Sequence, residues 1–289
     1  MKYCQQSSPR LARGRRGVTF VEILVLFVIM AIVLCLLMPA LVGARERKRR
    51  LGCQQKLAKL IIAMHGYESA AGYFPPGVVN PTGPIRSEAE GMHHGWIIQL
   101  LPFLDGQKLF NRIDPNVSIY DASYDDIRSD PLYATRCPSA PVTLGSQSSY
   151  AACHHDEESP IDLDNNGVFF LNSQITKDEI LDGEKFTLFL GEKRSSESEL
   201  GWMSGTRSTL RNTGSALNQT NATPTPEYVG GFGSWHSNVT HLSKGDGSVM
   251  ANSNSIDPIV YQQLGHRSDG SKLIAPDENV PEENESNGN

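Results

Sequence analysis

The sequence is short of positive charge. Its 289 residues contain 26 Lys and Arg against 32 Asp and Glu, and the formal net charge is −6. Residues 1–17 hold five of the bases and no acid, so the remaining chain carries −6 less those five, or −11. Because contacts to phosphates need clustered Lys and Arg, this deficit argues against nucleic acid as a partner.

A long apolar run follows the basic leader. The leader ends in Gly17, residues 23–38 are all apolar, and the carboxylate of Glu22 lies at the start of this segment. A carboxylate beside a bilayer-spanning segment is costly, so such a group usually has a partner or a task. Cleavage after Gly17 would free the α-amine of Val18 one helical turn from Glu22. The same amine on a neighbouring chain could then neutralise the carboxylate.

This layout resembles the class III signal of type IV prepilins and type II secretion pseudopilins. The shared features are the basic leader, Gly17, Thr19, Glu22 as the fifth mature residue, and Pro39 late in the helix. Val18 departs from the pattern, since pilins commonly carry Phe or Met there. The resemblance implies cleavage between Gly17 and Val18 and N-methylation of Val18 by a prepilin peptidase/methyltransferase.

The same resemblance implies a single-pass protein of the inner membrane, with its N-terminus in the cytoplasm and its C-terminal domain periplasmic or extracellular. Five Lys or Arg residues lie on each side of the apolar segment, so the positive-inside count does not decide the orientation. The implied partners are the processing peptidase, other pilin-like subunits and the inner membrane. The alternatives are an ordinary signal-anchor, twin-arginine export, and signal-peptidase cleavage near residues 42–44. None of them gives Glu22 a role.

The cysteines are few and odd in number. Of the five, Cys4 lies in the leader and Cys35 in the apolar segment, which leaves Cys53, Cys137 and Cys153 for an oxidising compartment. One disulfide can form, and the sequence does not determine its pairing. Cys53 with Cys137 is the first choice, because Cys153 lies in the strand-like segment SYAAC.

Hydrophobic spacing predicts a helix that continues from the apolar segment to about Ala70. Residues 18–42 would form the transmembrane and assembly part, which we expect Pro39 to kink. Residues 43–72 would form an amphipathic stalk, and residues 73–275 a globular domain. The tail, residues 276–289, is acidic and is expected to be disordered.

The rest of the chain predicts an α+β fold, with the long N-terminal helix packed on an antiparallel β-sheet as in pilins. Two short helices are expected within residues 96–110. Residues 195–226 are polar and predict a long surface loop. The strand candidates are residues 149–153, 168–171, 186–190, 239–242 and 249–252.

A second resemblance covers roughly residues 18–270. In chain order, the matching motifs are Cys53-x3-Leu57, Met64-His65-x-Tyr67, GYFPPG at 72–77, Gly95-Trp96, LLPFL at 100–104, RCPS at 136–139, NGVF at 166–169, ILDG at 180–183 and Gly191-Glu192. They are similar to a large bacterial pseudopilin-like family whose domain has no known function. His236, nine intervening residues and Asp246-Gly247 match the signature of prepilin-type processing-associated proteins. This resemblance implies no activity.

A calcium loop is the one cofactor site that the sequence suggests. Asp162-x-Asp164-x-Asn166-Gly167 matches the first half of such a loop, in which oxygen ligands alternate. The twelfth position, where a bidentate Glu is expected, is Ser173. The alternative is an Asx-rich turn entering the strand predicted at 168–171. We therefore expect no cofactor, with calcium at this loop as the open alternative.

His236 and Asp246 could also suggest a hydrolase pair, because their spacing would place them on opposite arms of a turn. Ser234 or Ser248 would be the nucleophile, but neither has a nucleophile elbow or an oxyanion arrangement around it. A structural link is favoured, in which Asp246 orders the turn. We therefore expect a structural pseudopilin-like subunit and not an enzyme. The alternative is an exported enzyme or ligand-binding module that uses the helix only as an anchor.

Cleavage between Gly17 and Val18 is the first testable prediction. The mature protein is expected to begin at Val18, because the leader, the glycine and Glu22 together match the prepilin signal. N-terminal sequencing or the intact mass of protein isolated from membranes measures this directly. Chains that begin at Arg45 would instead indicate an ordinary cleaved signal peptide and would contradict the prepilin interpretation.

Overall fold

The computed structural model describes Gly17, residues 19–219, Asn221 and residues 224–270. Residues 1–16 of the predicted leader, the methylation site Val18 and the acidic tail 276–289 lie outside the described residues. The chain divides into two compact units, residues 1–48 and residues 49–289. The architecture is α+β with a long apolar N-terminal helix, so the predicted fold class is confirmed.

Helix α1 runs from Phe20 to Ala71. Thr19 and Glu22 form a reciprocal cap at its start: the backbone N–H of Thr19 donates to Oε2 of Glu22 at 2.8 Å, and the N–H of Glu22 donates to the Thr19 hydroxyl at 3.3 Å. Gly72, with φ of +86°, ends the helix, where an end near Ala70 was expected. Pro39 lies inside α1, and the kink stays a prediction.

The first part of α1 is apolar and uncovered. Every side chain described from Thr19 to Met38 is exposed. Among the described helices, α1 is the one that is long and apolar enough to cross a membrane. Exposed apolar surface of this extent needs lipid or other apolar helices around it.

The second part of α1 belongs to the unit formed by residues 49–289 and contributes to its core. Cys53, Leu57, Leu60, Ile61 and Met64 are buried. Their three-to-four-residue spacing places them on one face of the helix. This one-sided burial agrees with the hydrophobic spacing from which the helix was expected to continue beyond the apolar segment.

In the described part of the chain, four further helices and seven strands follow α1. The helices are α2 (Trp96–Leu100), α3 (Gln107–Phe110), α4 (Asp125–Ser129) and α5 (Pro258–Gly265). Short 3₁₀ helices occupy Leu101–Leu104, Ala122–Tyr124, Tyr133–Thr135, Val142–Leu144 and Lys177–Glu179. The strands are β1 (Val78–Val79), β2 (His94–Gly95), β3 (Tyr150–His155), β4 (Leu188–Glu192), β5 (Leu210–Asn212), β6 (Val239–Lys244) and β7 (Val249–Ser253).

The main sheet has the order β5-β3-β4-β6-β7. The β3–β4, β4–β6 and β6–β7 pairs are antiparallel, whereas β3 and β5 are parallel. The sheet is therefore mixed, and the expected antiparallel pairing does not hold at this edge. Strand β4 is central, and all five of its residues are buried.

Both faces of the sheet are covered. Tyr150 and Ala152 of β3 belong to the main core, which also contains the buried face of α1. Ala151 and Cys153 alternate with them and belong to a second core, together with Tyr261 of α5 and others. Because successive side chains of a strand point to opposite faces, a strand covered on both sides has no polar alternation. This explains why residues 150–153 of β3 show no alternation of apolar and charged side chains.

Two sequence expectations were wrong in this region. Residues 168–171 are buried but form no strand, and they contribute only an isolated bridge between Val78 and Leu171. The surface loop expected at residues 195–226 was wrong for residues 201–213, which are almost all buried and contain β5. Their hydroxyls satisfy one another and the backbone: the Thr209 hydroxyl donates to the carbonyl of Ser204 at 2.7 Å. Hydrogen bonding of this kind lets polar residues be buried.

A buried charge triad follows β4. Lys193 donates to Oε2 of Glu199, and Nη2 of Arg211 donates to Oε1 of the same carboxylate at 2.8 Å. The Lys193 side chain is fully buried, and the other two are at most 8% exposed. Burial lowers the pKa of Lys193 to about 7, although the charge of Glu199 opposes this shift.

Glu199→Gln should destabilise the protein by about 3 kcal/mol or more, because it removes the buried carboxylate that neutralises Arg211 and accepts from Lys193. Thermal or urea unfolding of the full chain in detergent measures the loss. Glu197→Gln is the matched control, since Glu197 is exposed two residues away and should change the stability by less than about 0.5 kcal/mol. Equal stabilities of the two variants would contradict the role of the triad.

Candidate functional site

Four chemically reactive side chains meet inside the domain. They are Cys53 of α1, Cys137 after the 3₁₀ helix Tyr133–Thr135, Glu192 at the end of β4, and His236 before β6. All four are buried, and their ligand atoms lie within 4.8 Å of one another. Within the described residues this is the one such group of three or more His, Cys, Asp or Glu side chains. We call it the Cys-His-Glu cluster.

The closest contacts of the cluster involve sulfur. Sγ of Cys53 lies 3.1 Å from Sγ of Cys137. Nε2 of His236 lies 3.3 Å from the Cys53 sulfur and 3.5 Å from the Cys137 sulfur. The same nitrogen is 3.5 Å from Oε1 of Glu192. The imidazole therefore faces all three other members.

The two carboxylate oxygens of Glu192 have different surroundings. Oε2 accepts three hydrogen bonds or polar contacts: from the Ser234 hydroxyl at 2.8 Å, from the backbone N–H of His241 at 2.9 Å and from Nδ1 of His241 at 3.0 Å. Oε1 is buried and has no hydrogen-bond partner within the described part of the chain. The strand β6 thus holds one oxygen and leaves the other directed at His236.

Hydrogen bonds also fix the loop that carries Cys137. The backbone N–H of Cys137 donates to the Ser149 hydroxyl at 2.9 Å, and the N–H of Ser139 approaches its sulfur at 3.4 Å. Lys56, one turn of α1 beyond Cys53, donates to the carbonyls of Tyr133 and Arg136. The helix therefore supplies both a sulfur and the lysine that positions the opposite sulfur.

The electrostatics of the cluster favour a negative charge on Cys137 and on Glu192. The contact with Cys53 and the neighbouring His236 lower the pKa of Cys137, and the same sulfur contact, with burial, raises the pKa of Cys53. Burial alone would raise the pKa of Glu192. The hydrogen bonds and charge of His241, with the Ser234 hydroxyl, outweigh burial and lower the pKa.

The residues expected to form a disulfide lie together. Cys53 and Cys137 are adjacent, whereas Cys153 lies in β3 within the second core. Cys53 and Cys137 are both free thiols in the structure. The choice of partners agrees with this geometry, and the bond itself stays a prediction.

The signature residues His236 and Asp246 do not share a turn. They lie at opposite ends of β6, a strand of six residues and therefore about 20 Å long. The hypothesis that their spacing lets them meet was wrong for this reason. Asp246 orders the turn between β6 and β7, because its Oδ1 accepts from the backbone N–H and the hydroxyl of Ser248 at 2.9 and 2.6 Å.

Helix α1 reaches the same turn through another residue. Nε2 of His65 lies 2.7 Å from the carbonyl oxygen of Gly245. Gly247 has φ of +85°, a conformation that favours glycine. The Asp-Gly part of the signature therefore shapes a turn that contacts α1.

The suggested calcium loop is held by protein hydrogen bonds. The amide of Asn166 pairs with Asp156, donating to its Oδ1 at 2.6 Å and accepting from its N–H at 3.1 Å. Oδ1 of Asp162 accepts from the N–H of Leu163 at 2.8 Å. Calcium binding by Asp162, Asp164 and Asn166 stays a prediction.

Comparison with known families identifies the group to which the protein belongs. The sequence model of a family described as "Protein of unknown function (DUF1559)" matches residues 43–259, about three quarters of the chain. The chain belongs to the DUF1559 family. No curated protein and no solved structure matches it significantly. The DUF1559 match includes the whole Cys-His-Glu cluster and begins after the apolar part of α1.

Sequence reasoning missed part of the cluster. Gly191-Glu192 was noted only as a family motif, and His241 was not singled out. Cys53 and His236 are 183 positions apart in the chain, so no local spacing connects them. One usable signal was the acid directly after the apolar run of β4, because an acid there must be paired or lie at the surface.

Gly247→Ala should destabilise the protein by about 1–2 kcal/mol, because a residue with a Cβ atom is sterically strained at a positive φ. The effect should come from the backbone alone, because the nearest atom to an added Cβ is 3.9 Å away. The matched control is Gly52→Ala inside α1, where an added Cβ also meets no atom closer than 3.9 Å. That change should be neutral or stabilise by up to about 1 kcal/mol. Unfolding midpoints test the pair, and a stabilising Gly247→Ala would contradict the role of the turn.

Proposed function

We propose that this chain is an exported pilin-like subunit, processed after Gly17, whose α1 assembles with other subunits in the inner membrane. The observation that supports this most is the start of α1. A carboxylate occupies its first turn, and an uncovered apolar helix follows directly. The role is structural, in a type II secretion or type IV pilus-like apparatus, and not enzymatic.

The apolar part of α1 supports membrane insertion and helix association. Its side chains from Phe20 to Met38 are exposed, and the segment is long enough to span a bilayer. In lipid, such a helix is stable alone or beside other apolar helices. Membership of the DUF1559 family is consistent with a pilin-like exported protein.

The charge of Glu22 supports a role of α1 in subunit assembly, and not only in membrane anchoring. Thr19 supplies hydrogen bonds to the carboxylate but no positive charge. The capping box thus orients Glu22 and leaves its charge to be balanced. An α-amine of an incoming subunit, freed by cleavage and positioned at the same depth, provides that balance.

Two substitutions separate the cap from the charge. Gln at this helix position also forms a capping box, so Glu22→Gln should preserve the start of the helix and lose only the negative charge. Glu22→Ala loses both. If the charge docks subunits, crosslinking between co-expressed tagged chains should fall about tenfold or more in both variants. Membrane levels should match those of the wild type, because a neutral side chain inserts at least as easily.

The controls decide between assembly and anchoring. Thr19→Val removes the hydroxyl of the cap and retains the charge, and it should crosslink nearly as well as the wild type. If Glu22→Gln crosslinks like the wild type and Glu22→Ala loses crosslinking, Glu22 has only a capping role. Full crosslinking in every variant would favour the alternative, an exported module that uses α1 as an anchor.

A further inference from the structure

We propose that Cys53, Cys137, His236 and Glu192 bind one zinc-type divalent transition-metal ion. The site is a structural one with four protein ligands. It does not depend on the chain being a pilin-like subunit, because it lies wholly within residues 49–289. It also differs from the calcium loop in residues, position and donor chemistry.

The spacing of the donor atoms fits tetrahedral coordination. Zinc binds sulfur at about 2.3 Å and imidazole nitrogen or carboxylate oxygen at about 2.0–2.2 Å, so neighbouring donors lie roughly 3.3–3.8 Å apart. In the cluster, the nitrogen of His236 lies 3.3 and 3.5 Å from the two sulfurs and 3.5 Å from the carboxylate oxygen. The two sulfurs, at 3.1 Å, would have to move apart by about 0.7 Å, because two zinc–sulfur bonds of about 2.3 Å at a tetrahedral angle place them roughly 3.8 Å apart.

The second oxygen of Glu192 is an independent observation that points to a ligand. The residue is 2% exposed, and its Oε1 has no hydrogen-bond partner in the described part of the chain. A buried carboxylate oxygen normally accepts at least one hydrogen bond. This one faces His236 and the sulfurs, where a cation would satisfy it.

The surroundings hold the carboxylate as metal sites require. Residues that bind metals are commonly oriented by hydrogen bonds from an outer shell. His241 and Ser234 donate to Oε2 and thereby fix the direction of Oε1. Lys56 and Ser149 position the loop of Cys137 in the same way.

The donor set determines the class of metal. Two thiolates and an imidazole favour Zn²⁺ and its analogues Co²⁺ and Cd²⁺, whereas Ca²⁺ and Mg²⁺ prefer oxygen ligands. Cysteine binds as the thiolate, so each thiol that coordinates releases its proton to solvent, and no electron is transferred. The four protein ligands complete the coordination and leave no position for a substrate.

The metal and the expected disulfide exclude each other. Both use the sulfurs of Cys53 and Cys137, and a disulfide has no thiolate to donate. A disulfide would connect two positions of the chain, whereas the metal connects four. The metal would join α1, the loop at Cys137, the end of β4 and the segment before β6.

Wild-type protein gives the primary test. The full chain is purified in detergent with a non-chelating reductant, stripped with a chelator and titrated with Co²⁺ and then with Zn²⁺. We expect one metal per chain by elemental analysis, a thiolate-to-Co²⁺ charge-transfer band that Zn²⁺ abolishes, and protection of two thiols from alkylation by Zn²⁺. No Co²⁺ uptake by the reduced wild type would overturn the site. So would a Cys53–Cys137 disulfide found by non-reducing peptide mapping of freshly isolated protein.

Variants assign the ligands. Glu192→Gln is nearly isosteric and should weaken Zn²⁺ binding about tenfold or more, and Cys137→Ser should abolish the charge-transfer band from that sulfur. Cys153→Ala is the matched control, because Cys153 is buried outside the cluster and should retain full binding. Wild-type affinity in both Glu192→Gln and Cys137→Ser would contradict the proposal. Since the wild-type measurements stand alone, a variant that fails to fold does not affect the test.

Discussion

A carboxylate inside a protein is stable only if hydrogen bonds or cations replace the water it loses. Glu192 occupies such a position at the end of the central strand. Its Oε2 is bound by β6 and by Ser234, while its Oε1 faces the sulfurs contributed by α1 and by the Cys137 loop. The strands, the helix and the loop thus converge on one side chain.

Helix α1 spans two very different environments. Up to Met38 its apolar side chains are exposed, and from Cys53 its apolar residues recur every three to four positions and are buried. Continuous apolarity suits a surrounding that is uniform, such as lipid, whereas spaced apolarity suits a core on one side only. The same helical backbone therefore combines a segment suited to lipid with a segment suited to a domain core, and the two differ in their side-chain pattern.

The predictable features were those with a local period or a local signal. The buried helix face from Leu57 to Met64, the end of α1 at the glycine and the strand containing Cys153 all follow from spacing and turn residues. Strand β5 was missed because its Ser- and Thr-rich surroundings are buried through hydrogen bonds from hydroxyls to other hydroxyls and to backbone carbonyls, which hydropathy does not detect. Residues 168–171 were predicted as a strand and are buried without forming one, since an apolar run indicates burial and does not indicate strand pairing. The partners of Glu192 depend on contacts between residues 40 or more positions apart, for which the sequence has no period.

The acid Glu192 and the base Lys193 are consecutive, yet they are buried in different environments. Glu192 contacts His241 and the other members of the Cys-His-Glu cluster, and Lys193 contacts Glu199 of the buried triad. A slip of β4 by one residue would exchange the two faces. The carboxylate would then meet another carboxylate, and the ammonium group would meet imidazoles, each without water. The consecutive Glu192 and Lys193 therefore disfavour a one-residue slip of the central strand.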